Sequence, residues 1–114
     1  LHFRKKPEYK ILYIVKGKIK DFCFDLKKKK INKFLLKEND CLLIPPGYAH
    51  GYECLGKENI VIYFLSWTYN PKLQSGIFWK DKDLNIKWSI KKPIISKKDK
   101  NLPSYKRILK NKFY

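Results

Sequence analysis

The chain lacks several features that define common classes of protein. It contains no methionine and only five glycines, and it has only 10 acidic residues against 27 lysines and arginines. Its three cysteines, Cys23, Cys41 and Cys54, are odd in number and include no Cys-x-x-Cys pair. Disulfide frameworks and zinc sites both need paired cysteines, so the sequence predicts neither. We expect reduced, half-buried cysteines that pack as small hydrophobic residues.

Long apolar stretches are absent as well. No run approaches the roughly 18 apolar residues that a transmembrane helix needs, so we expect no membrane partner. The segment from Leu1 to Arg4 has no apolar signal-peptide core. These observations predict a cytoplasmic location. The absence of an initiator methionine predicts that Leu1 is not the natural start of the chain.

The remaining composition predicts one folded domain over residues 1–114. Hydrophobic residues make up 44% of the 114 residues, and aromatic residues make up 16%. This is enough apolar surface to form a single core, and it excludes the disordered class.

The formal net charge of +17 comes almost entirely from lysine, which supplies 25 of the 27 basic residues. One alanine beside 13 isoleucines is a composition typical of AT-rich coding, and nucleic-acid sites favour arginine. We therefore expect no nucleic-acid partner, and a basic β-barrel that binds nucleic acid is the weaker alternative. The positive charge would also attract an anionic substrate.

Apolar residues alternate with a period of two along much of the chain, which is typical of β-strands. Strands are predicted at residues 9–15 and 19–26, with a turn at Gly17 between them. A second pair is predicted at residues 48–55 and 60–67. Each pair is expected to form a hairpin.

Further elements are short. Strands are predicted at residues 34–36 and 41–44, and the lysine run at residues 27–30 is expected to be a solvated loop. Residues 104–114 carry a mixed three- and four-residue spacing that predicts a terminal helix. Many short strands separated by glycine and proline turns are typical of an all-β sandwich or barrel.

The side chains that titrate near neutral pH are two histidines, His2 and His50. Neither stands in a His-x-His or His-Glu-x-x-His arrangement, so no metal site is predicted. Tyr63 lies on a predicted strand, and Asp99 lies in a polar loop. Taken alone, these groups also fit ordinary structural roles: the histidines as structural or solvated side chains, Tyr63 as a core tyrosine and Asp99 as a turn residue.

Several short sequence motifs occur in an order and spacing that are typical of one protein family. They are Leu1-His2-Phe3, Lys10-Ile11-Leu12, Asp21-x-x-x-Asp25-Leu26, Pro46-Gly47-Tyr48-Ala49-His50-Gly51-Tyr52, Tyr69-Asn70-Pro71, Ile86-x-Trp88 and Ser96-x-Lys98-Asp99. In these words the chain resembles the dTDP-4-dehydrorhamnose 3,5-epimerases. The resemblance covers nearly the whole chain, and the word around His50 is its most specific part.

The resemblance implies an all-β fold of the cupin type, a double-stranded β-helix or jelly-roll barrel. It implies an isomerase that inverts carbon 3, carbon 5 or both in a nucleotide-linked 4-keto-6-deoxyhexose, within deoxysugar and surface polysaccharide biosynthesis. It further implies a homodimer that uses no metal and no cofactor.

Roles for individual residues follow from the same resemblance. His2 resembles the family's general base, and Asp99 resembles the carboxylate that orients it. Lys10 resembles the cation that faces the enolate oxygen, and Tyr63 resembles the acid that returns a proton from the opposite face. The substrate-binding residues implied by the resemblance are His50, Tyr69 and Lys98.

The chain also departs from the family pattern. The family carries a segment before the Leu-His word that includes strands exchanged across the dimer, and the expected fold here is one without those N-terminal strands. Residues 27–30 replace a longer connection, and Gln74 stands where a carboxylate is common. These departures leave a second interpretation open, a truncated relative that binds sugar nucleotides without catalysis.

Overall fold

The computed structural model describes residues 1–111. Within these residues the chain forms eight strands, a 3-10 turn at Pro71–Leu73 and two short α-helices. The strands are β1 (His2–Arg4), β2 (Lys10–Lys16), β3 (Lys18–Asp25), β4 (Lys30–Lys37), β5 (Cys41–Ile44), β6 (Tyr48–Cys54), β7 (Ile60–Leu65) and β8 (Gln74–Gly76). The helices are α1 (Lys97–Lys100) and α2 (Tyr105–Asn111).

The strands form two antiparallel sheets, which confirms the predicted all-β class. One sheet has five strands in the order β4-β3-β6-β1-β8, and the other has three in the order β5-β2-β7. β-Branched and aromatic residues dominate β2 and β7, as the pleated surface of a strand favours. The predicted lysine loop is confirmed for residues 27–29, which are exposed between the paired strands β3 and β4, whereas Lys30 begins β4.

The predicted hairpin between residues 9–15 and 19–26 is wrong. β2 pairs with β5 and β7, whereas β3 pairs with β4 and β6, so the chain changes sheet at Gly17. Gly17 has a φ of +89°, and a Cβ there would lie 2.3 Å from the Glu58 carbonyl oxygen. Glycine is therefore needed for a corner between the sheets rather than for a hairpin turn.

The second predicted hairpin, between residues 48–55 and 60–67, is wrong for the same reason. β6 belongs to the five-stranded sheet, and β7 belongs to the three-stranded sheet. The two corners lie side by side, because the Asn59 side-chain oxygen accepts hydrogen bonds from the backbone N–H groups of Lys18 (3.1 Å) and Gly56 (3.2 Å). Alternation predicts where strands lie but does not identify their partners.

Apolar side chains form two cores. The first lies between the sheets and consists of Leu12, Ile14, Ile19, Cys23, Leu36 and Ile44. The second lies where the C-terminal segment covers the other face of the five-stranded sheet; it includes Leu1, Phe3, Phe22, Phe24, Leu84, Tyr105 and Ile108. β3 is therefore buried on both faces, and its inward side carries the polar Asp21, which is 0% exposed.

The predicted terminal helix is confirmed as α2 over Tyr105–Asn111, and residues 112–114 of that prediction lie outside the described residues. Tyr105 stacks edge-on against Phe24, and its hydroxyl donates to the Leu26 carbonyl oxygen at 3.2 Å. Within residues 1–111, no helix is long and apolar enough to cross a membrane.

Candidate active site

A cavity of about 930 Å³ lies against the inward faces of β1, β2, β6 and β7, and the segment before α2 closes one side of it. All of the residues that the sequence predicted for the site line this cavity. They are His2, Lys10, His50, Tyr63, Tyr69, Lys98 and Asp99. Residues up to 97 positions apart in the sequence are therefore brought to one place by the sheet topology and by α1.

His2 and Asp99 form a hydrogen-bonded pair on the cavity wall. The distance from His2 Nε2 to Asp99 Oδ1 is 3.0 Å, and both side chains are 35% exposed. β1 holds His2 directly across from His50 of β6. Asp99 is fixed by the first turn of α1, where the Ser96 hydroxyl accepts a hydrogen bond from the Asp99 N–H at 3.1 Å. Because this pair uses Nε2, the second ring nitrogen of His2, Nδ1, is available to accept a proton.

Burial lowers the pKa of His2 below its ordinary value of 6.5, and the hydrogen bond to Asp99 opposes that shift. The imidazole is therefore neutral at neutral pH and able to accept a proton. Asp99 then lies at hydrogen-bond distance from the imidazolium that would form, which is the arrangement of a carboxylate supporting a histidine base.

A second histidine–aspartate pair is more deeply buried in the protein than the His2–Asp99 pair. His50 Nδ1 is 3.0 Å from Asp21 Oδ2, and the two side chains are 5% and 0% exposed. The Cys23 thiol donates to the other carboxylate oxygen of Asp21 at 3.2 Å. No role for Asp21 was predictable from its strand pattern, which shows only that Asp21 and Cys23 share one strand face. Its pairing with His50 follows only from the register of β3 against β6.

Tyr63 lies on β7 and faces these histidines across the cavity. Its ring centroid is 6.2 Å from that of His50 and 6.3 Å from that of Tyr52. Partial burial and the neighbouring Tyr52 hydroxyl raise the pKa of Tyr63, so its phenol is protonated at neutral pH. Tyr63 is 42% exposed, and it is therefore not the ordinary core tyrosine that its strand pattern alone would allow.

Lys10 begins β2 and presents its ammonium group to the cavity. Its Nζ atom lies 4.0 Å from Glu8 Oε1, and Arg4 Nε lies 3.6 Å from Glu8 Oε2. Burial lowers the pKa of Lys10, while the carboxylates of Glu8 and Asp21 oppose the shift. Glu8 was not predictable as a site residue, because the turn that brings it back toward Lys10 leaves no periodic pattern in the sequence.

The irregular segment before α1 forms part of the cavity wall. The Glu53 carboxylate accepts hydrogen bonds from the backbone N–H groups of Ser89 (2.9 Å) and Ile90 (3.1 Å), and Lys20 Nζ lies 3.1 Å away. The Trp88 indole N–H donates to the Trp79 carbonyl oxygen at 2.8 Å. Trp79 and Trp88 both line the cavity, so this segment shapes the site as well as the second core.

Several of the side chains that line the cavity can transfer protons. Within residues 1–111, no three side chains of histidine, cysteine, aspartate or glutamate are grouped as ligands for an ion. A base supported by a carboxylate, a protonated phenol and a buried ammonium group are the set needed to remove and return a proton beside a carbonyl group.

The family model for dTDP-4-dehydrorhamnose 3,5-epimerase matches residues 1–107. The chain belongs to this family. It is 38% identical over 112 residues to the dTDP-4-dehydrorhamnose 3,5-epimerase of Methanothermobacter thermautotrophicus, covering 89% of this chain and 60% of that protein. The Shigella flexneri enzyme of the same name is 34% identical over 110 residues, with 89% and 61% covered.

The solved structures of epimerases confirm the predicted cupin-type fold. The Bacillus anthracis dTDP-4-dehydrorhamnose 3,5-epimerase, with TDP and PPi bound, superposes with a TM-score of 0.86 at 37% identity. That match covers 91% of this chain and 65% of the other. The chain thus spans about 60% of the length of the curated relatives it matches.

Proposed function

We propose that this chain epimerises a nucleotide-linked 4-keto-6-deoxyhexose, such as dTDP-4-dehydro-6-deoxyglucose, at carbon 3, carbon 5 or both, in deoxysugar and surface polysaccharide biosynthesis. The observation that carries the proposal is the His2–Asp99 pair, at 3.0 Å, on the wall of a cavity that Lys10 and Tyr63 also line. Family membership supports the substrate class, and the Bacillus anthracis relative was solved with TDP and PPi bound.

The first half of the reaction removes a proton from the carbon beside the ketone. In the proposed mechanism the free ring nitrogen of His2 takes this proton, and the C–H electron pair moves into the enolate. Asp99 stabilises the resulting imidazolium. The Lys10 ammonium group faces the oxygen on which the negative charge develops, and in a partly buried site this stabilisation is stronger than in water.

The second half returns a proton to the opposite face of the same carbon. We assign this proton to the Tyr63 hydroxyl, because its raised pKa keeps it protonated until the enolate forms. His2 then carries one extra proton and Tyr63 lacks one. Exchange with solvent restores both groups, so the cycle consumes no net proton and needs no oxidant or cofactor.

Binding of the substrate is assigned to three residues that line the same cavity. The proposed contacts are the imidazole of His50 with the sugar, the ring of Tyr69 beside the sugar, and the ammonium group of Lys98 with the diphosphate. Tyr69 is 59% exposed, which leaves its ring available to a ligand. The formal charge of +17 favours an anionic nucleotide sugar over a neutral sugar.

Incubation of the chain with dTDP-4-dehydro-6-deoxyglucose in deuterium oxide, followed by proton NMR, tests this function. The proposal predicts loss of the signals at carbon 3, carbon 5 or both, with the appearance of the epimerised sugar. A folded chain that gains thermal stability from this ligand but exchanges no proton would contradict the proposal and favour the non-catalytic binder.

A homodimer is proposed from one exposed surface, which we call the outer apolar face. It consists of Ile11, Leu43, Ile60, Ile62 and Phe64 on the three-stranded sheet. Leu43 is 58% exposed and Phe64 56%, and both are register partners of Ile11. Monomeric proteins rarely expose so many adjacent large apolar side chains, so a second copy of this chain is the proposed cover.

A charge placed on the outer apolar face tests the homodimer. We expect Phe64→Lys to shift the sedimentation coefficient from dimer to monomer. Leu35→Lys is the matched control, because Leu35 is also 57% exposed but lies on β4 of the other sheet. A wild-type chain that sediments as a monomer would contradict the proposed dimer.

We also propose a cytoplasmic location. Cys23, Cys41 and Cys54 are free thiols, which fits a reducing compartment. Fractionation of producing cells is expected to recover the chain with cytoplasmic markers, and recovery with membranes would contradict this location.

A further inference from the structure

Glu8 is a buried carboxylate held between two cations at the edge of the cavity. Its side chain is 2% exposed, with Arg4 Nε at 3.6 Å from one oxygen and Lys10 Nζ at 4.0 Å from the other. Among the described residues, neither oxygen has a hydrogen-bond partner, and Arg4 Nε also lacks one. A carboxylate removed from water is costly unless it interacts with opposite charge. The burial of Glu8 therefore depends on these two ion pairs.

We propose that Glu8 is a positioning residue that keeps Lys10 charged and directs its ammonium group into the cavity, an inference that rests on the proposed function. Burial disfavours the charged form of Lys10 and lowers its pKa. Lys10 therefore loses its proton at a lower pH than a lysine on the surface. Only the ammonium form can stabilise an enolate oxygen by its charge. An anion beside Lys10 is thus needed if Lys10 is to act as proposed.

The other ionisable groups around Lys10 do not fill this role. His2 and His50 line the cavity with Lys10, and Arg4 and Lys6 line a small second pocket beside it; none of these four side chains supplies a negative charge. The raised pKa of Tyr63 keeps its phenol uncharged. Asp21 is the other carboxylate that acts on Lys10, but its two oxygens are engaged by His50 and Cys23. Both oxygens of Glu8 lack hydrogen bonds to any residue of the described part of the chain, so Glu8 is the carboxylate available to interact with Lys10 and Arg4.

The reactivity of Lys10 toward acetic anhydride measures its charge without relying on enzyme activity. Only the neutral amine is acetylated, and peptide mass spectrometry reads each lysine separately. In Glu8→Gln, which keeps the shape but removes the charge, we expect Lys10 to be acetylated about tenfold faster or more at pH 8. Glu8→Asp keeps the charge and is expected to react within about twofold of the wild-type rate.

A matched control removes an acidic partner from an exposed lysine. Glu58 pairs with Lys16 at the surface, with side-chain exposures of 70% and 52%. Glu58→Gln is expected to leave the acetylation of Lys10 unchanged. An unchanged Lys10 rate in Glu8→Gln would overturn the proposal, and so would an equal acceleration in Glu8→Asp.

A second variant tests the same contact if Glu8→Gln does not fold. In Glu8→Ala, which removes the carboxylate without burying an amide in its place, acetylation of Lys10 at pH 8 is expected to accelerate to a similar extent. No change there would overturn the proposal. Accelerated acetylation of Lys10 in a chain whose wild type exchanges no substrate proton would instead reject the proposed function and retain the role of Glu8.

Discussion

The imidazole of His2 is prepared for its proposed role by two opposing effects. Burial favours the neutral form, and the hydrogen bond to Asp99 favours the charged form. The first effect is the larger, so the base is unprotonated at neutral pH and still has a carboxylate in place for the proton it accepts.

Removal of this base is the first prediction. His2→Asn is expected to reduce proton exchange at the sugar carbon by about 10²–10⁴-fold, because a positioned general base contributes this much to rate. NMR of the exchange in deuterium oxide measures the rate, and near-wild-type thermal stability shows that the fold is kept. Exchange at the wild-type rate in His2→Asn would reject His2 as the base.

The pH dependence of kcat/KM follows from the same residue. A group whose pKa is lowered in the folded chain stays neutral to a lower pH, so the acid limb is expected below 6.5. Asp99→Asn removes an interaction that raises the pKa of His2, so this variant should move the acid limb of the kcat/KM profile to a still lower pH. Asp83→Asn, which breaks an exposed pair with Lys106, is the control and should not move it. An acid limb at or above 6.5 would contradict the account.

Tyr63 gives a prediction that separates exchange from inversion. In Tyr63→Phe, His2 still removes the proton and can return a deuteron only to the face from which it came. We expect exchange at the carbon to continue while formation of the inverted sugar falls by about 10²-fold or more. Equal losses of exchange and inversion would show that Tyr63 is not the separate acid.

Single residues of the site were predictable to the extent that they belong to local words of sequence. His2, Asp99 and His50 stand in such words, and all line the cavity. Asp21 also stands in such a word, but neither Asp21 nor Glu8 was assigned a role, because the role of each depends on a partner brought close by the fold. Asp21 faces His50 through the pairing of β3 with β6, and Glu8 faces Lys10 through a turn before β2.

At the scale of the elements, the strand positions were predictable and their pairing was not. Alternating apolar residues predicted β2, β3, β6 and β7 within a few residues. Both predicted hairpins failed, because the short turns at Gly17 and Gly56 are corners between sheets. The corner at Gly17 is stabilised because Ile14 and Ile19, on either side of it, are buried in one core. No local sequence pattern distinguishes such a corner from a hairpin turn.

The docking of α2 on the five-stranded sheet gives a prediction about stability. Ile108 is 0% exposed within the second core, and Ile108→Ala leaves a cavity there. We expect the free energy of unfolding to fall by about 2–5 kcal/mol, measured by urea denaturation. Lys110→Ala, on an exposed position of the same helix, should cost less than about 0.5 kcal/mol. Equal effects of the two changes would show that α2 does not pack as described.

At the scale of the whole molecule, the formal charge of +17 would attract the proposed anionic nucleotide sugar before it reaches the cavity. Raising the ionic strength from about 0.05 M to about 0.5 M screens this attraction. We expect KM for the nucleotide sugar to rise several-fold while kcat stays unchanged, because the proposed proton-transfer groups lie inside the cavity. Steady-state kinetics at the two salt concentrations check this, and a constant KM would contradict it.

Proton NMR of the wild-type chain and His2→Asn with dTDP-4-dehydro-6-deoxyglucose in deuterium oxide tests the central claim most directly. The account predicts that the wild-type chain exchanges the proton at carbon 3, carbon 5 or both and forms the inverted sugar, and that His2→Asn does neither at a comparable rate. A folded wild-type chain that leaves both proton signals intact would contradict it.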